Sequence, residues 1–426
     1  MTVAAHAKST NPSSALRHPR FVAFFTAAAI SNAAGWMQLV AVPALLYDLT
    51  GQAKWLGLSS LASLIPAVLL TPYAGVLADR LQRRVILMIT QTVQMGATFT
   101  LWGLYTTGHI SATAIICTGL VGGVATGFQT AAWQAFIPSL VPREAMMDAV
   151  RLNSTQFTIA RAVGPAAAGS VVLQLGTGAA IFINAATFAL VIGVLVVIRP
   201  QATALVNSGE RARDAMRAGA GYVWGHPALR LATLLSLFTA ITGQSLQYIA
   251  AAVASRHFGE ASQDNAWLLT SLGVGAFIAS LVGYRLTRRF TRRRMMLFAL
   301  AMYVLAPLVI VATRLFWVGM LGYFVGGLAH LTFAVQVNTL IQSETPDHLR
   351  GRTMSFYLLG ILAGIPIGSL TMGSLIDAIG VRATLLADAV LILAVTLWLH
   401  ITDRLRVFNR PLWMPSDQAS NDTGKL

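Results

Sequence analysis

Long runs of apolar residues alternate with short polar or basic segments along almost the whole chain. Each run approaches or exceeds the roughly 20 residues that a helix needs to cross a bilayer. The pattern predicts twelve membrane-spanning helices, numbered helix 1 to helix 12 in chain order. Their predicted ranges are 21–48, 55–78, 85–107, 110–137, 149–176, 178–198, 229–254, 264–287, 295–314, 316–341, 353–378 and 381–402.

Polar segments divide the chain into five parts. Residues 1–20 form a basic N-terminal tail, 199–228 form a central loop, and 403–426 form a C-terminal tail. Between them lie two predicted bundles of six helices each, 21–198 and 229–402. Helices 5 and 6 are separated only by the short run Gly176-Thr177-Gly178, so their division is a prediction from length alone.

The two predicted bundles carry matching residues in the same order. At an offset of 208 residues Gly51 meets Gly259, and at an offset of 204 residues Gly176 meets Gly380. Further pairs at these offsets are His18-Pro19 with His226-Pro227, Gly35 with Gly243, Gly75 with Gly283, Gly164 with Gly368, and Gly169 with Gly373. Because six is even, both halves have the same orientation in the membrane. Tandem halves of this kind place the substrate at the midplane between them.

The composition excludes a water-soluble globule. Hydrophobic residues make up 56% of the chain and charged residues only 11%, whereas soluble proteins average about 25% charged residues. The net charge of +15 lies mostly on alternate loops, which predicts that both termini are cytoplasmic and that the charge does not bind nucleic acid. We expect no removable signal peptide, and the single Cys117 excludes an intramolecular disulfide.

A short motif stands between helices 2 and 3. The run from Gly75 to Arg84 resembles the signature loop of the major facilitator superfamily, Gly-x-x-x-Asp-Arg-x-Gly-Arg-Arg/Lys, with Gln82 where many members have Gly. The matching residues are Gly75, Asp79, Arg80, Arg83 and Arg84. The resemblance implies that Asp79 contacts the start of helix 11 near Thr353 and stabilises the outward-open state. The alternative reading is that Arg80, Arg83 and Arg84 merely enforce the membrane topology.

A second motif narrows the resemblance. Within helix 5, a Gly-Pro-rich stretch is similar to the helix-5 motif of superfamily exporters, and an ordinary kinked, closely packed helix is its alternative reading. Its residues are Arg161, Gly164, Pro165 and Gly169. Together with the runs 136–144, 46–51 and 345–352, it resembles the branch of enterobactin exporters and macrolide-efflux proteins. The implied fold is all-α and polytopic: the major facilitator fold, with twelve helices in two pseudo-symmetric bundles.

In this superfamily helices 1, 4, 7 and 10 line the central cavity. The polar and aromatic residues that they offer here are Asn32, Trp36, Gln38, Phe128, Gln129, Gln244, Gln247, Tyr248, His330 and Gln336. A chamber of amides and aromatic rings suits a largely neutral amphiphile. Some of these amides could instead bond across helices and never contact substrate.

Ionisable residues inside predicted membrane helices are few, and Asp388 and His330 are the candidates for proton coupling. We expect proton-driven efflux of a drug, siderophore or secondary metabolite, by a monomer in the bacterial inner membrane, with no cofactor. The alternatives are a nutrient importer of the same fold and, more remotely, a lipid-handling enzyme or sensor. An enzyme would need a convergent catalytic or metal cluster, and the sequence shows no such grouping.

Overall fold

The computed structural model describes residues 15–198, 212–287 and 289–408, and these are helical without a strand. Most of both predicted tails and the start of the central loop lie outside the described residues. The first half contains Pro19–Thr50 (helix 1), Lys54–Arg80 (helix 2), Arg83–Thr106 (helix 3), Ala112–Phe136 (helix 4) and the continuous Met146–Val197 (helices 5 and 6). A linker helix, Ala212–Gly225, leads to Pro227–Ile241 (the start of helix 7), Asn265–Thr287 (helix 8), Arg292–Ala312 (helix 9), Phe316–Glu344 (helix 10), Asp347–Ile379 (helix 11) and Val381–Ile401 (helix 12).

The helices have the length and surface of membrane spans. Among the described residues, ten helices are long and apolar enough to cross a bilayer, and Lys54–Leu70 of helix 2 is a shorter apolar helix. Helices 5 and 6 count there as one because no loop separates them. Large apolar side chains face outward, including Val197 at 82% and Ile401 at 78% exposure. Exposing such an apolar surface to water would be unfavourable, whereas contact with lipid is not. The prediction of an all-α polytopic membrane protein is therefore confirmed.

Two glycines reverse the chain without a loop. Gly176 has φ 83° and ψ 168° between helices 5 and 6, and Gly380 has φ 85° and ψ 164° between helices 11 and 12. This region of backbone conformation is open essentially only to glycine. Gly176 and Gly380, which are equivalent positions in the internal repeat, therefore have the same backbone conformation.

The ends of helices 1 and 7 match in the same way. Gly51 and Gly259 are left-handed, with φ 63° and 77°, and each closes its helix. The N–H of Gly51 donates to the carbonyl of Tyr47, and that of Gly259 donates to the carbonyl of Ser255. These hydrogen bonds are typical of a helix that ends at a residue in the left-handed conformation. The internal repeat therefore extends to the backbone geometry.

The prediction of a continuous helix 7 over 229–254 is wrong. The helix stops at Thr242, whose φ and ψ are −90° and −96°. A 3₁₀ turn over Gly243–Gln247 follows, then a short α-helix over Ala250–Val253 and a π turn over Ala254–Phe258. The interruption lies in the middle of the membrane helix.

Packing and side-chain bonds explain this interruption. A Cβ on Gly243 would lie 2.2 Å from Cδ1 of Tyr303, so the backbone here runs directly against that ring. Ser245 Oγ lies 2.8 Å from the carbonyl oxygen of Ala240 and 2.9 Å from that of Ile241, near enough to donate to either. The hydroxyl thus replaces backbone bonds that the break removes, as buried breaks in membrane helices require.

The buried apolar clusters of the described residues join the two halves at one end of the molecule. We call the end near both termini the terminal end and the opposite end the distal end. At the distal end one apolar cluster joins residues of both halves, for example Leu46 and Leu56 with Leu268 and Ile376. At the terminal end the described residues form two separate clusters, one in each half.

Small residues bring the halves together at two interfaces. Helix 2 packs on helix 11, where a Cβ on Gly57 would lie 2.3 Å from Leu370 Cα. Helix 5 packs on helix 8, where a Cβ on Gly169 would lie 2.7 Å from Ala266 Cβ. Such contacts let membrane helices approach closely.

Candidate functional site

A carboxylate of helix 11 caps the start of helix 2 at the distal end. Asp377 accepts hydrogen bonds from the backbone N–H groups of Ala53 and Lys54, both at 2.9 Å. The first N–H groups of a helix have no partner within it, and a negative charge there is favourable. Asp377 belongs to the second half and helix 2 to the first, so this cap ties the halves together.

Arg256, in the π turn that ends helix 7, completes the contact. Its Nη1 lies 2.9 Å from Asp377 Oδ1, and its Nη2 donates to the Gly51 carbonyl at 2.5 Å. The guanidinium also lies 5.8 Å from the ring centroid of Tyr47. We call these residues the distal clasp: Tyr47, Gly51, Ala53, Lys54, Arg256 and Asp377. The sequence analysis did not identify Asp377 or its partners in the other half.

A cavity of about 330 Å³ lies within the first half, between helices 1, 2, 3, 4 and 6. Its described lining residues are either apolar or polar without a charge. The polar lining residues are Gln38, Ser59, Ser60, Ser63, Gln94, Thr98, Thr118, Thr126, Asn184 and Tyr248. The glycines of helix 4 in the lining, Gly119, Gly122 and Gly123, leave room because they have no side chain.

Amide groups organise the cavity wall. The Nδ2 of Asn184 donates to Oε1 of Gln38, a hydrogen bond between helices 6 and 1. Asn184 is only 2% exposed, and its Oδ1 has no hydrogen-bond partner among the described residues. Gln94 Nε2 donates to Thr126 Oγ1 at 3.0 Å, joining helices 3 and 4.

Two lining residues connect the cavity to the second half. Tyr248 comes from the interrupted segment of helix 7 and forms part of the wall. The hydroxyl of Ser60 in helix 2 hydrogen-bonds to that of Ser369 in helix 11. A relative movement of the halves would therefore change the cavity.

The structure places two of the ten predicted cavity residues, Gln38 and Tyr248, in this cavity. Trp36 packs on helix 5, since a Cβ on Gly164 would lie 2.5 Å from its Cβ. Phe128 packs against the terminal-end cluster of the first half. One amide atom each of Asn32 and Gln129 has no partner among the described residues.

The predicted residues of helices 7 and 10 lie in the second half. Gln244 and Gln336 are 7% and 1% exposed, and Gln336 Oε1 has no partner among the described residues. Gln247 is half-buried. His330 Nδ1 lies 3.3 Å from the Tyr303 hydroxyl, and Asp388 is half-buried in helix 12. The structure does not bring Asp388 and His330 together with the cavity lining.

Part of the signature motif can be followed at side-chain level. Gly75 lies in helix 2, and the side chains of Asp79, Arg80 and Arg161 lie outside the described ones. Arg83 Nη1 donates to the Ala135 carbonyl at 3.0 Å, at the end of helix 4. Arg84 donates to the carbonyls of Leu195 at 2.5 Å and Val196 at 2.7 Å, at the end of helix 6. Both arginines thus cap helix C-termini within the first half.

The second half has a related arrangement. Arg292, which the 208-residue offset pairs with Arg84, is 2% exposed. It donates to Ser343 Oγ at 3.1 Å and lies 3.9 Å from Glu344, at the end of helix 10. Tyr222 of the linker helix donates to the Glu344 carbonyl at 2.7 Å. Burial, and then the negative charge of Glu344, raise the pKa of the Tyr222 hydroxyl.

Comparison with known proteins agrees with this architecture. The chain is 25% identical over 387 residues to the multidrug efflux pump Tap of Mycolicibacterium fortuitum. The matched region covers 87% of this chain and 92% of that protein. It is 22% identical over 386 residues to the staphyloferrin A transporter of Staphylococcus aureus, covering 89% and 96%.

Solved structures show the same fold at low identity. The nucleoside transporter NupG matches with a TM-score of 0.75 at 11% identity, covering 92% of this chain and 100% of that one. A bacterial homologue of the human lysosomal transporter Spinster matches with a TM-score of 0.70 at 15% identity, covering 95% and 100%. The family model described as transmembrane secretion effector matches residues 10–423. The chain therefore belongs to the transmembrane secretion effector family of the major facilitator superfamily, a family of transporters.

Proposed function

We propose that this protein exports small amphiphilic molecules from the bacterial cytoplasm by alternating access. One observation carries the proposal: the distal clasp and a shared apolar cluster join the halves at one end, while each half has its own cluster at the other. Two rigid bundles joined in this way can rock about their interface. The multidrug efflux pump among the relatives supports export rather than uptake.

The charge pattern orients this arrangement. Arg83, Arg84 and Arg143 lie in or beside loops at the terminal end. Basic loops remain in the cytoplasm, so we place both termini and the terminal end there. The conformation is then closed to the outside and able to open to the cytoplasm, the state in which an exporter takes up its substrate.

Energy for export comes in this proposal from the proton gradient, with no bound cofactor. Asp388 and His330 are the candidate proton carriers, and His330 is held by the hydroxyl of Tyr303. Titratable groups at membrane depth are typical of proton relays. We further propose that a single chain is the working unit, since each chain contains both halves.

Everted membrane vesicles would test the proposal. With an imposed proton gradient, vesicles with the wild type should take up dyes from a panel of neutral and cationic amphiphiles, and an uncoupler should abolish uptake. Asp79→Asn should insert normally but transport about tenfold more slowly, since a charge-assisted hydrogen bond contributes about 1.5–3 kcal/mol. Glu144→Gln, at an exposed acid of the same end, is the control.

Two results would contradict the proposal. Uptake of no dye by everted vesicles would argue against export of amphiphiles. Accumulation only in right-side-out vesicles would identify an importer.

A further inference from the structure

We infer that the terminal ends of helices 9 and 12 form a binding site for the headgroup of an anionic phospholipid, with Arg404 as its central cation. This goes beyond the proposed transport function, because the site lies on the lipid-facing surface and is the same for either direction of transport. A rigid turn, a surplus of arginines and an indole ring at the edge of the membrane carry the inference.

Buried anchors hold the turn that follows helix 12. This is the 3₁₀ turn Arg404–Phe408. Leu405 and Phe408 are fully buried and belong to the terminal-end cluster of the second half. Because these two side chains point into the protein, Arg404 and Arg406 lie on the outer side of the turn, where both are exposed. Cations held in this way lose less conformational entropy when they bind a ligand.

Arginines outnumber carboxylates around this turn. Asp403 lies 3.0 Å from Nη2 of Arg293 in helix 9 and also pairs with Arg406, so its charge is already balanced. Arg404 and the exposed Arg294 have no carboxylate within 4 Å among the described residues. Four arginines therefore share one carboxylate. A surplus of positive charge attracts an anion.

Trp398 places this charge at the depth of the lipid headgroups. It lies in the last turn of helix 12, on an exposed stripe with Leu391 and Ile401. An apolar stripe on a membrane helix contacts acyl chains, and tryptophan is typical of the membrane–water interface. The guanidinium carbon of Arg404 lies 4.7 Å from the ring centroid of Trp398. This cation–π contact positions Arg404 directly beyond the acyl chains.

A lipid phosphate fits this arrangement. A guanidinium can donate two parallel hydrogen bonds to one phosphate group, and basic residues immediately beside a membrane helix attract anionic lipids. A soluble phosphate ion would contact the arginines alone. A phospholipid would in addition keep its acyl chains on the apolar stripe of helix 12. The site is therefore suited to an anionic phospholipid such as phosphatidylglycerol.

A matched pair of lipids tests the site. Phosphatidylglycerol and phosphatidylcholine with identical acyl chains share the phosphodiester, but the choline group cancels its charge. Native mass spectrometry of the purified full-length protein in detergent measures the Kd of the first bound lipid. The wild type should bind phosphatidylglycerol about tenfold more tightly, the effect of one charge-assisted hydrogen bond. Equal affinities would overturn the inference.

Substitutions then locate the cation. Arg404→Gln should reduce the preference to about twofold or less, by weakening phosphatidylglycerol alone. Arg143→Gln is the matched control, because Arg143 is an exposed arginine of the same end in the first half; it should keep the tenfold preference. A preference that survives Arg404→Gln, or that Arg143→Gln removes equally, would overturn the inference.

Photocrosslinking of the wild type tests the location without a substitution. A phosphatidylglycerol with a diazirine near the glycerol end of one acyl chain should label peptides that contain Trp398 or Arg404. Labelling confined to other helices would overturn the inference.

A soluble competitor separates a lipid site from a site for free phosphate. Glycerol 1-phosphate carries the phosphate without the acyl chains, so a millimolar excess should leave the crosslinking at Trp398 and Arg404 unchanged. Displacement of the lipid by this competitor would identify a site for a soluble anion and overturn the inference.

Discussion

Arg256 and Asp377 form an ion pair across the boundary between the two halves, with Nη1 2.9 Å from Oδ1. The internal repeat pairs Arg256 with Asp48, so the first half has no equivalent cation. At the pseudo-symmetric interface between helices 5 and 8, Gly169 lies close to Ala266, an uncharged contact. Beside it, Asn265 Nδ2 of helix 8 donates to the Val40 carbonyl of helix 1 at 3.2 Å. Among the side chains that the structure describes, an ion pair therefore joins the halves at the helix 2–helix 11 interface, whereas the helix 5–helix 8 contacts named here are uncharged.

Neutralising Asp377 should loosen the distal end. Asp377→Asn keeps the shape of the side chain but removes the charge that faces Arg256 and the start of helix 2. We expect a loss of about 1–2 kcal/mol from the closed state, because the pair is partly exposed. In a Cys117→Ala background, a cysteine at the buried Ala53 should then react roughly tenfold faster with an impermeant maleimide added on the distal side.

Glu260→Gln is the control for this experiment, because Glu260 is an exposed acid four residues from Arg256. It should leave the labelling rate unchanged. Equal rates for Asp377→Asn and the wild type would mean that the clasp does not hold the distal end closed.

Arg84→Gln should reduce thermal stability. The guanidinium of Arg84 donates to two carbonyls at the end of helix 6, and these would lose a charged donor. A cost of about 1–2 kcal/mol is expected at this partly exposed site. Fluorescence-detected size exclusion after heating would report it as a lower Tm. Arg143→Gln, at an exposed arginine of the same end, should have little effect; an unchanged Tm for Arg84→Gln would leave Arg84 with a conformational role only.

Gly327→Ala should destabilise the second half. Its Cβ would lie 1.9 Å from the carbonyl oxygen of Leu272 in helix 8, and backbone cannot move aside as a flexible side chain does. We expect a loss of about 1–3 kcal/mol, measured as a lower Tm in detergent. Gly193→Ala, where no atom lies within 4 Å of the new Cβ, should be neutral or slightly stabilising. Equal Tm values for the two variants would contradict the close approach.

The sequence was sufficient to predict the helices and the repeat, because both depend on local pattern. Apolar runs of membrane length identify spans, and the paired glycines Gly176 and Gly380 have the same conformation in the structure. The interruption of helix 7 was missed because hydropathy averages over it. The run Thr242-Gly243-Gln244-Ser245 was the available signal, since polar residues and a glycine in mid-membrane favour irregular backbone.

The site was predictable only in part. Gln38 and Tyr248 were expected in a cavity from their helix numbers, but Asn184 lies in helix 6, which the superfamily pattern does not assign to the cavity. The distal clasp could not be predicted for a different reason: Asp377 and Ala53 are 324 residues apart in the sequence. A contact between halves depends on their tertiary arrangement, which no local pattern encodes.

The reversal at Gly176 has a mechanical consequence. Helix 5 packs across the boundary on helix 8, and helix 6 carries Asn184 into the cavity. With no slack between these two helices, a tilt of helix 5 cannot be absorbed at their junction. The bend at Gly176 would instead turn helix 6 with it, so the opening of one face of the protein would itself move Asn184 in the cavity wall.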